Sequence, residues 1–129
     1  MADEKVYASV PVTPGVEAYW EAAKAGKLVM RHCTSCGKLH YYPRGICPHC
    51  FSDKLDWKDV KGTGTVYTYS IMHAGKPPYV IAYVTLDEGL SMMTNIVDCD
   101  PASVKIGQKV KVVFKPTENG GKLPCFTPA

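Results

Sequence analysis

Two Cys-x-x-Cys pairs constrain the fold of this sequence more than any other feature. Cys33 and Cys36 form the first pair, and Cys47 and Cys50 form the second. Each pair can form a tight turn that directs two thiolates at one ion, so two pairs supply the four corners of a tetrahedral zinc site. Four thiolates leave no open position for water or substrate, which predicts a structural zinc. A redox pair would have to begin a helix in a βαβ unit, and the glycine and proline around these cysteines do not favour one.

The residues around the pairs predict a small zinc ribbon preceded by one helix. We expect the ribbon over residues 28–54 and an N-terminal arm with a helix over residues 1–27. Thr13 and Pro14 are typical of a helix start, and Gly26 of a helix end. The helix predicted between them carries an apolar face made of Val16, Tyr19, Trp20 and Ala23. This face must pack on the chain's own barrel or on another subunit, and we expect another subunit.

The remaining sequence, residues 55–129, predicts a five-stranded barrel of the oligonucleotide/oligosaccharide-binding (OB) type. Alternating β-branched and aromatic residues, separated by turns rich in glycine and proline, indicate strands at 55–60, 65–73, 79–87, 90–97, 109–115 and 123–126. The first of these is expected to enter a new sheet. The fold class is therefore mainly β, with an N-terminal helix, a four-cysteine zinc ribbon and an OB-type barrel.

Composition agrees with a folded protein of ordinary character. Hydrophobic residues make up 46% of the 129 residues and charged residues 21%. The sequence has no apolar run of membrane-spanning length, and its acidic first residues do not resemble a signal peptide. We therefore expect a cytoplasmic location, where reduced thiols favour metal over disulfides.

The ribbon region is basic. Residues 22–52 contain five lysines and arginines and no acidic residue. Such a surface suits an anionic partner, either nucleic acid or a nucleotide-like cofactor such as coenzyme A, although a merely solvated face is equally compatible. If coenzyme A binds here, Lys38 and Arg44, with Arg31, are candidate phosphate contacts, and the ring of Tyr41 or Tyr42 is a candidate adenine platform.

Other candidate residues have less support. His73 is predicted at the end of a strand, where a histidine is more often structural or solvated than catalytic. Asp87 and Glu88 are adjacent on a strand and point to opposite faces, so a turn role is favoured over a carboxylate pair. Cys99 and Cys125 have no activating neighbour in the sequence and are expected to be small buried residues.

Taken together, residues 26–126 resemble a known family, the small acyl-CoA-associated proteins of domain of unknown function thirty-five. The resemblance rests on both cysteine pairs, on the Gly62-Thr63-Gly64-Thr65-Val66-Tyr67 segment, on Leu86-Asp87-Glu88-Gly89, on Ile106-Gly107-Gln108-Lys109-Val110 and on the closing Leu123-Pro124-Cys125-Phe126. Members have an N-terminal helix, a rubredoxin-like zinc ribbon and an OB barrel. Tyr41-Tyr42-Pro43 departs from the family, in which paired prolines are common at this position.

The resemblance implies a non-catalytic accessory subunit of a thiolase-like acyltransferase complex, which docks on the catalytic subunit and helps to shape its acyl-CoA site. The residues agree with this, because they offer no nucleophile and base for acyl transfer. Three alternatives stay open: an accessory subunit of a CoA-dependent aldolase or hydratase, a module that binds single-stranded nucleic acid, and a stand-alone enzyme. The net charge of only +3 argues against nucleic acid.

Overall fold

The structure is a computed structural model that describes residues 7–75 and 77–129. Residues 1–6 of the predicted arm and Lys76 of a predicted turn lie outside the described residues. The elements of the described part are α1 (Glu17–Lys24), β1 (Val29–Cys33), β2 (Leu39–His40), β3 (Leu55–Asp59), β4 (Thr63–Met72), β5 (Tyr79–Leu86), β6 (Ser91–Ile96), a 3-10 turn (Pro101–Ser103), β7 (Lys109–Pro116) and β8 (Lys122–Pro128). No helix among the described residues has the length and apolar character needed to cross a membrane.

The chain forms two compact units. The first contains residues 7–60 together with Phe114–Pro124, and the second contains Lys61–Val113 together with Cys125–Ala129. The helix and the four paired cysteines thus belong to the first unit.

Helix α1 begins later than the sequence predicts. Gly15 has φ +94°, outside the helical region, so the helix cannot extend back to it. Its N–H instead donates to Oε1 of Glu17 at 2.6 Å, and no side chain caps the helix at Val16. The predicted cap by the Thr13 hydroxyl is therefore wrong. The predicted end is confirmed, because the N–H of Gly26 donates to the carbonyl of Ala23 at 3.0 Å.

The aromatic face of α1 packs within the first unit. Tyr19 is only 2% exposed, and its ring lies 5.9 Å from that of Tyr42 and 6.5 Å from that of Tyr41. Trp20 donates its indole N–H to the Tyr42 hydroxyl at 3.0 Å. The expectation that this face is held for another subunit is therefore wrong, because the aromatic residues that follow β2 already cover it.

A three-stranded antiparallel sheet, in the order β2-β1-β3, carries the ribbon. Residues Val29–Cys33 pair with Leu55–Asp59 along their whole length. The strand expected to enter a new sheet at Leu55 therefore completes the ribbon sheet instead. The alternating pattern of this segment predicts a strand but does not indicate which other strand it pairs with.

The second sheet is a closed barrel with the strand order β4-β5-β6-β8-β7. This confirms the predicted fold class. The pairing of β4 with β5 shifts by one residue between Val66 and Thr68, which places a β-bulge at Tyr67. Fully buried residues of the second unit include Val66, Val80, Val84, Leu86, Met92, Val110 and Phe126.

Candidate metal centre

Two turns of matching geometry bring the paired cysteines together. In the first turn the N–H of Gly37 donates to the carbonyl of Cys33 at 2.8 Å, and in the second the N–H of Phe51 donates to the carbonyl of Cys47 at 2.8 Å. The two donor residues occupy equivalent positions and both have positive φ, 76° for Gly37 and 64° for Phe51. Glycine adopts this conformation readily, whereas phenylalanine is strained in it. The turn that orients Cys47 and Cys50 therefore includes a strained backbone conformation at Phe51.

The four sulfurs converge on one point. The Sγ atoms of Cys33 and Cys50 are 3.5 Å apart, those of Cys36 and Cys47 are 3.7 Å apart, and all four lie within 4.8 Å of one another. Zinc–sulfur bonds of about 2.3 Å in a tetrahedron place neighbouring sulfurs about 3.8 Å apart. The donor set, the spacing and the number of ligands therefore fit Zn²⁺. Cys33 and Cys47 are buried while Cys50 is exposed, so the cluster lies at the edge of the ribbon.

The polypeptide around the sulfurs favours thiolates but cannot hold four of them without a cation. The backbone N–H of Cys36 is the main reason that the pKa of Cys33 falls from 9.0 to about 6. Burial raises the pKa of Cys47, but hydrogen bonds from the backbone of Cys50 and His49 and from the neighbouring thiols together outweigh burial, and the pKa is lowered. The N–H of Ser52 lowers the pKa of Cys50, whereas the neighbouring thiols raise it to about 12. A divalent ion relieves this conflict because it binds all four thiolates and offsets two of their four negative charges.

The predicted coenzyme A contacts lie in the same unit, with different exposure. Lys38 and Arg44 are exposed, whereas Tyr41 is half-buried with its ring 5.4 Å from that of Tyr42. Arg31 lies in the middle strand of the ribbon sheet, with its guanidinium carbon 4.3 Å from the centre of the Trp57 ring. Contact of these residues with coenzyme A stays a prediction.

One buried histidine was missed by sequence reasoning. His40 is 3% exposed, and neither ring nitrogen has a hydrogen-bond partner among the described residues. Burial lowers its pKa, and the positive charges of His49, Arg44 and Arg31 lower it further. In the sequence His40 stands within a basic stretch and carries no signal of burial. Its place opposite Arg31 in the β1–β2 pair is visible only in the structure.

The remaining candidates lie outside the cysteine cluster. His73 is an exposed turn residue. Asp87 and Glu88 each accept a hydrogen bond from the segment that leads into β4, which agrees with the predicted turn role. Cys125 is fully buried and Cys99 is half-buried. Among the described residues, only the four paired cysteines form a cluster able to hold a metal.

A four-thiolate ribbon and a closed five-stranded barrel in one chain define a ribbon-and-OB protein. The sequence matches the rubredoxin-like zinc ribbon domain of ChsH2 over residues 20–56 and the ChsH2 C-terminal OB-fold domain over residues 57–115. A solved chain described as "Ltp2-ChsH2(DUF35) aldolase" is 34% identical, with a TM-score of 0.83 and coverage of 93% of this chain and 98% of that one. The protein therefore belongs to the DUF35 family, as its sequence motifs predict.

Curated relatives carry names of subunits and scaffolds. A probable enoyl-CoA hydratase alpha subunit of Thermomonospora curvata is 39% identical over 87% of this chain, which spans only 37% of that protein's length. A DUF35 domain-containing scaffold protein of Methanocaldococcus jannaschii is 38% identical, with coverage of 73% of this chain and 72% of the relative. The benzoylsuccinyl-CoA thiolase subunit BbsA of Geobacter metallireducens is 26% identical, with coverage of 74% and 67%.

Proposed function

We propose that this protein is a non-catalytic accessory subunit of a thiolase-like acyltransferase complex, which docks on the catalytic subunit and helps to shape its acyl-CoA site. The observation that carries the proposal is the nature of the one metal-type cluster in the described chain. Four cysteines that enclose one ion can stabilise a fold but offer no open position for a reacting group. Relatives named as subunits of a thiolase and of a hydratase, and as a scaffold, support the same role.

In this proposal the zinc replaces a hydrophobic core for the ribbon. Cys33, Cys36, Cys47 and Cys50 hold the ion, and the small three-stranded sheet depends on it for stability. The chain contributes to catalysis by holding its partner's acyl-CoA site in shape, which lowers a barrier through positioning. A cytoplasmic location belongs to the same proposal, since a four-thiolate site requires reduced cysteines.

A CoA-dependent aldolase or hydratase is the second candidate partner. It is favoured by the hydratase subunit at 39% identity and by the aldolase chain with its TM-score of 0.83. Both partner classes predict the same behaviour of this chain, namely an obligate association with an enzyme that acts on a CoA thioester.

Reconstitution tests the accessory role. The proposal predicts that a neighbouring gene encodes a thiolase-, hydratase- or aldolase-like polypeptide. The chain is expressed alone and together with that polypeptide. We expect no thioester turnover by the chain alone, a stable complex with the neighbouring polypeptide, and turnover by that complex. A chain that converts a CoA thioester unaided, or one that forms no complex, would contradict the proposal.

The coenzyme A contacts are tested in the same complex. Lys38→Ala and Arg44→Ala each remove one exposed cation, and each is expected to weaken acyl-CoA binding severalfold, as measured by isothermal titration calorimetry. Lys27→Ala is the matched control, because Lys27 is an exposed lysine of the same basic stretch outside the predicted contact set. If all three variant complexes bind acyl-CoA as tightly as the unaltered complex, Lys38 and Arg44 do not belong to the CoA site, and the accessory role is unaffected.

A further inference from the structure

The outer face of strands β4, β5 and β6 carries exposed aromatic and sulfur-containing side chains. These are Tyr67, Met72, Tyr79, Tyr83 and Met93, which are 39% to 68% exposed. The strand register places them next to one another, since Tyr83 lies opposite Met93 on β6 and opposite Thr68, beside the bulged Tyr67, on β4. Met72 and Tyr79 form a second pair further along the sheet. We call this surface the outer barrel face.

The outer barrel face has no charge. Its other outward positions on β4, β5 and β6, all of them described, carry only serine, threonine, isoleucine and asparagine. Charged residues make up 21% of the sequence, so an uncharged surface across three neighbouring strands is unusual for this chain. Side chains of about 200 Å² each, exposed to this degree, present about 500 Å² of surface in total. An exposed apolar area of several hundred Å² on one face of a small protein often marks a binding surface.

One margin of this face is positively charged. Lys109 and Lys111 on β7 pair with Thr65 and Thr63 on β4, and both lysines are exposed. Lys109 donates to the Thr65 hydroxyl at 3.2 Å, and neither lysine is ion-paired within the part of the chain that the structure describes. A partner surface that is apolar in the middle and acidic along one edge complements this arrangement.

The same features argue against other occupants. A second copy of the chain is the weaker candidate, because the carboxylate at this margin, that of Asp87, already accepts a hydrogen bond from the Thr63 hydroxyl of its own chain. Single-stranded nucleic acid stacks well on tyrosines but also requires cations that follow its backbone. On β4 to β7, all of whose residues are described, the cations of this face are the two lysines of one margin.

We propose that the outer barrel face is the surface that binds the catalytic subunit, through an apolar patch of that subunit with an acidic margin. This inference rests on the proposed accessory function and names the surface that performs it. It also replaces the helix face as the docking surface, because Tyr19 of that helix is buried within its own unit.

The test measures binding of the full chain to the purified catalytic subunit encoded by a neighbouring gene. Tyr83→Lys and Met93→Lys each place an unpaired charge at the centre of the proposed contact, and we expect each to raise the dissociation constant about 100-fold. Ile46→Lys, a matched change at a 55% exposed apolar residue of the ribbon, is expected to leave the constant within about threefold of the original. Lys111→Glu is expected to weaken binding about tenfold at low salt and less at high salt. Circular dichroism and zinc content verify that each variant folds.

Each failure has a separate meaning. If the unaltered chain forms no complex, the accessory function fails, and this inference fails with it. If the unaltered chain binds, but Tyr83→Lys and Met93→Lys bind equally well, the inference alone is wrong. A greater loss with Ile46→Lys would assign docking to the ribbon. Two further results would also overturn the assignment of the outer barrel face to the catalytic subunit. One is a dimer of the isolated chain that Tyr83→Lys dissociates in ultracentrifugation. The other is tight binding of an oligothymidine that Tyr83→Ala abolishes.

Discussion

The ring of Tyr19 gives a direct measure of how firmly helix α1 is built into the first unit. It is 2% exposed, and it makes edge-on contacts with Trp20 at 5.0 Å and with Tyr42 at 5.9 Å between ring centres. Replacing such a ring with alanine costs the buried area and leaves a cavity, together about 3–5 kcal/mol. With a urea dependence of about 1–2 kcal/mol/M for a small unit, the urea midpoint of Tyr19→Ala should fall by about 1.5 M or more.

Tryptophan fluorescence is suited to this measurement, because Trp20 and Trp57 both lie in the first unit. Phe51→Ala serves as the matched control, since this aromatic ring of the same unit is 79% exposed and its loss should cost less than about 1 kcal/mol. A Tyr19→Ala chain as stable as the control, but unable to bind the catalytic subunit, would refute the reasoning. It would restore the helix face as a docking surface.

Three further predictions concern the metal site, the barrel and the buried histidine. Zinc affinity, measured by competition with a chelator, should fall more steeply with decreasing pH below about 6, because the Cys33 thiolate then takes up a proton that zinc must displace. The same slope of zinc affinity against pH above and below pH 6 would contradict the lowered pKa of Cys33. Gly64→Ala should destabilise the barrel by about 2 kcal/mol in thermal unfolding, because the new Cβ would lie 2.5 Å from the Thr85 carbonyl oxygen, whereas Gly45→Ala has open space and should be neutral. Because the folded-state pKa of His40 lies below 6.5, the unfolded chain binds a proton first as the pH falls, and the stability that neutral His40 allows above pH 6.5 is lost below that pH. His40→Leu should reduce this loss of stability at low pH, measured as the urea midpoint against pH. An identical pH dependence of the urea midpoint in both proteins would contradict the prediction.

The elements of this fold were predictable where local chemistry determines them. The spacing of the four cysteines predicts their cluster because each pair forms its own turn. The alternation in residues 79–86 predicts β5 because one side of that strand is buried in the barrel. Gly26 predicts the end of α1 through its own backbone preference.

Errors arose where the outcome depends on which distant segments meet. The strand at Leu55–Asp59 has the same pattern whether it joins the ribbon or the barrel, so its pairing with β1 was not predictable. The face of α1 is aromatic in either setting, and only the position of Tyr42 decides what covers it. The burial of His40 and the uncharged outer barrel face depend on register between strands, which the sequence specifies only through the complete fold.

Native mass spectrometry of the chain co-expressed with its neighbouring catalytic polypeptide tests the central claim most directly. That claim is a structural zinc in a subunit whose partner performs the chemistry. The account predicts a complex in which each copy of this chain carries one zinc ion. A chain that stays unassociated, or a complex in which it carries no metal, would contradict the account.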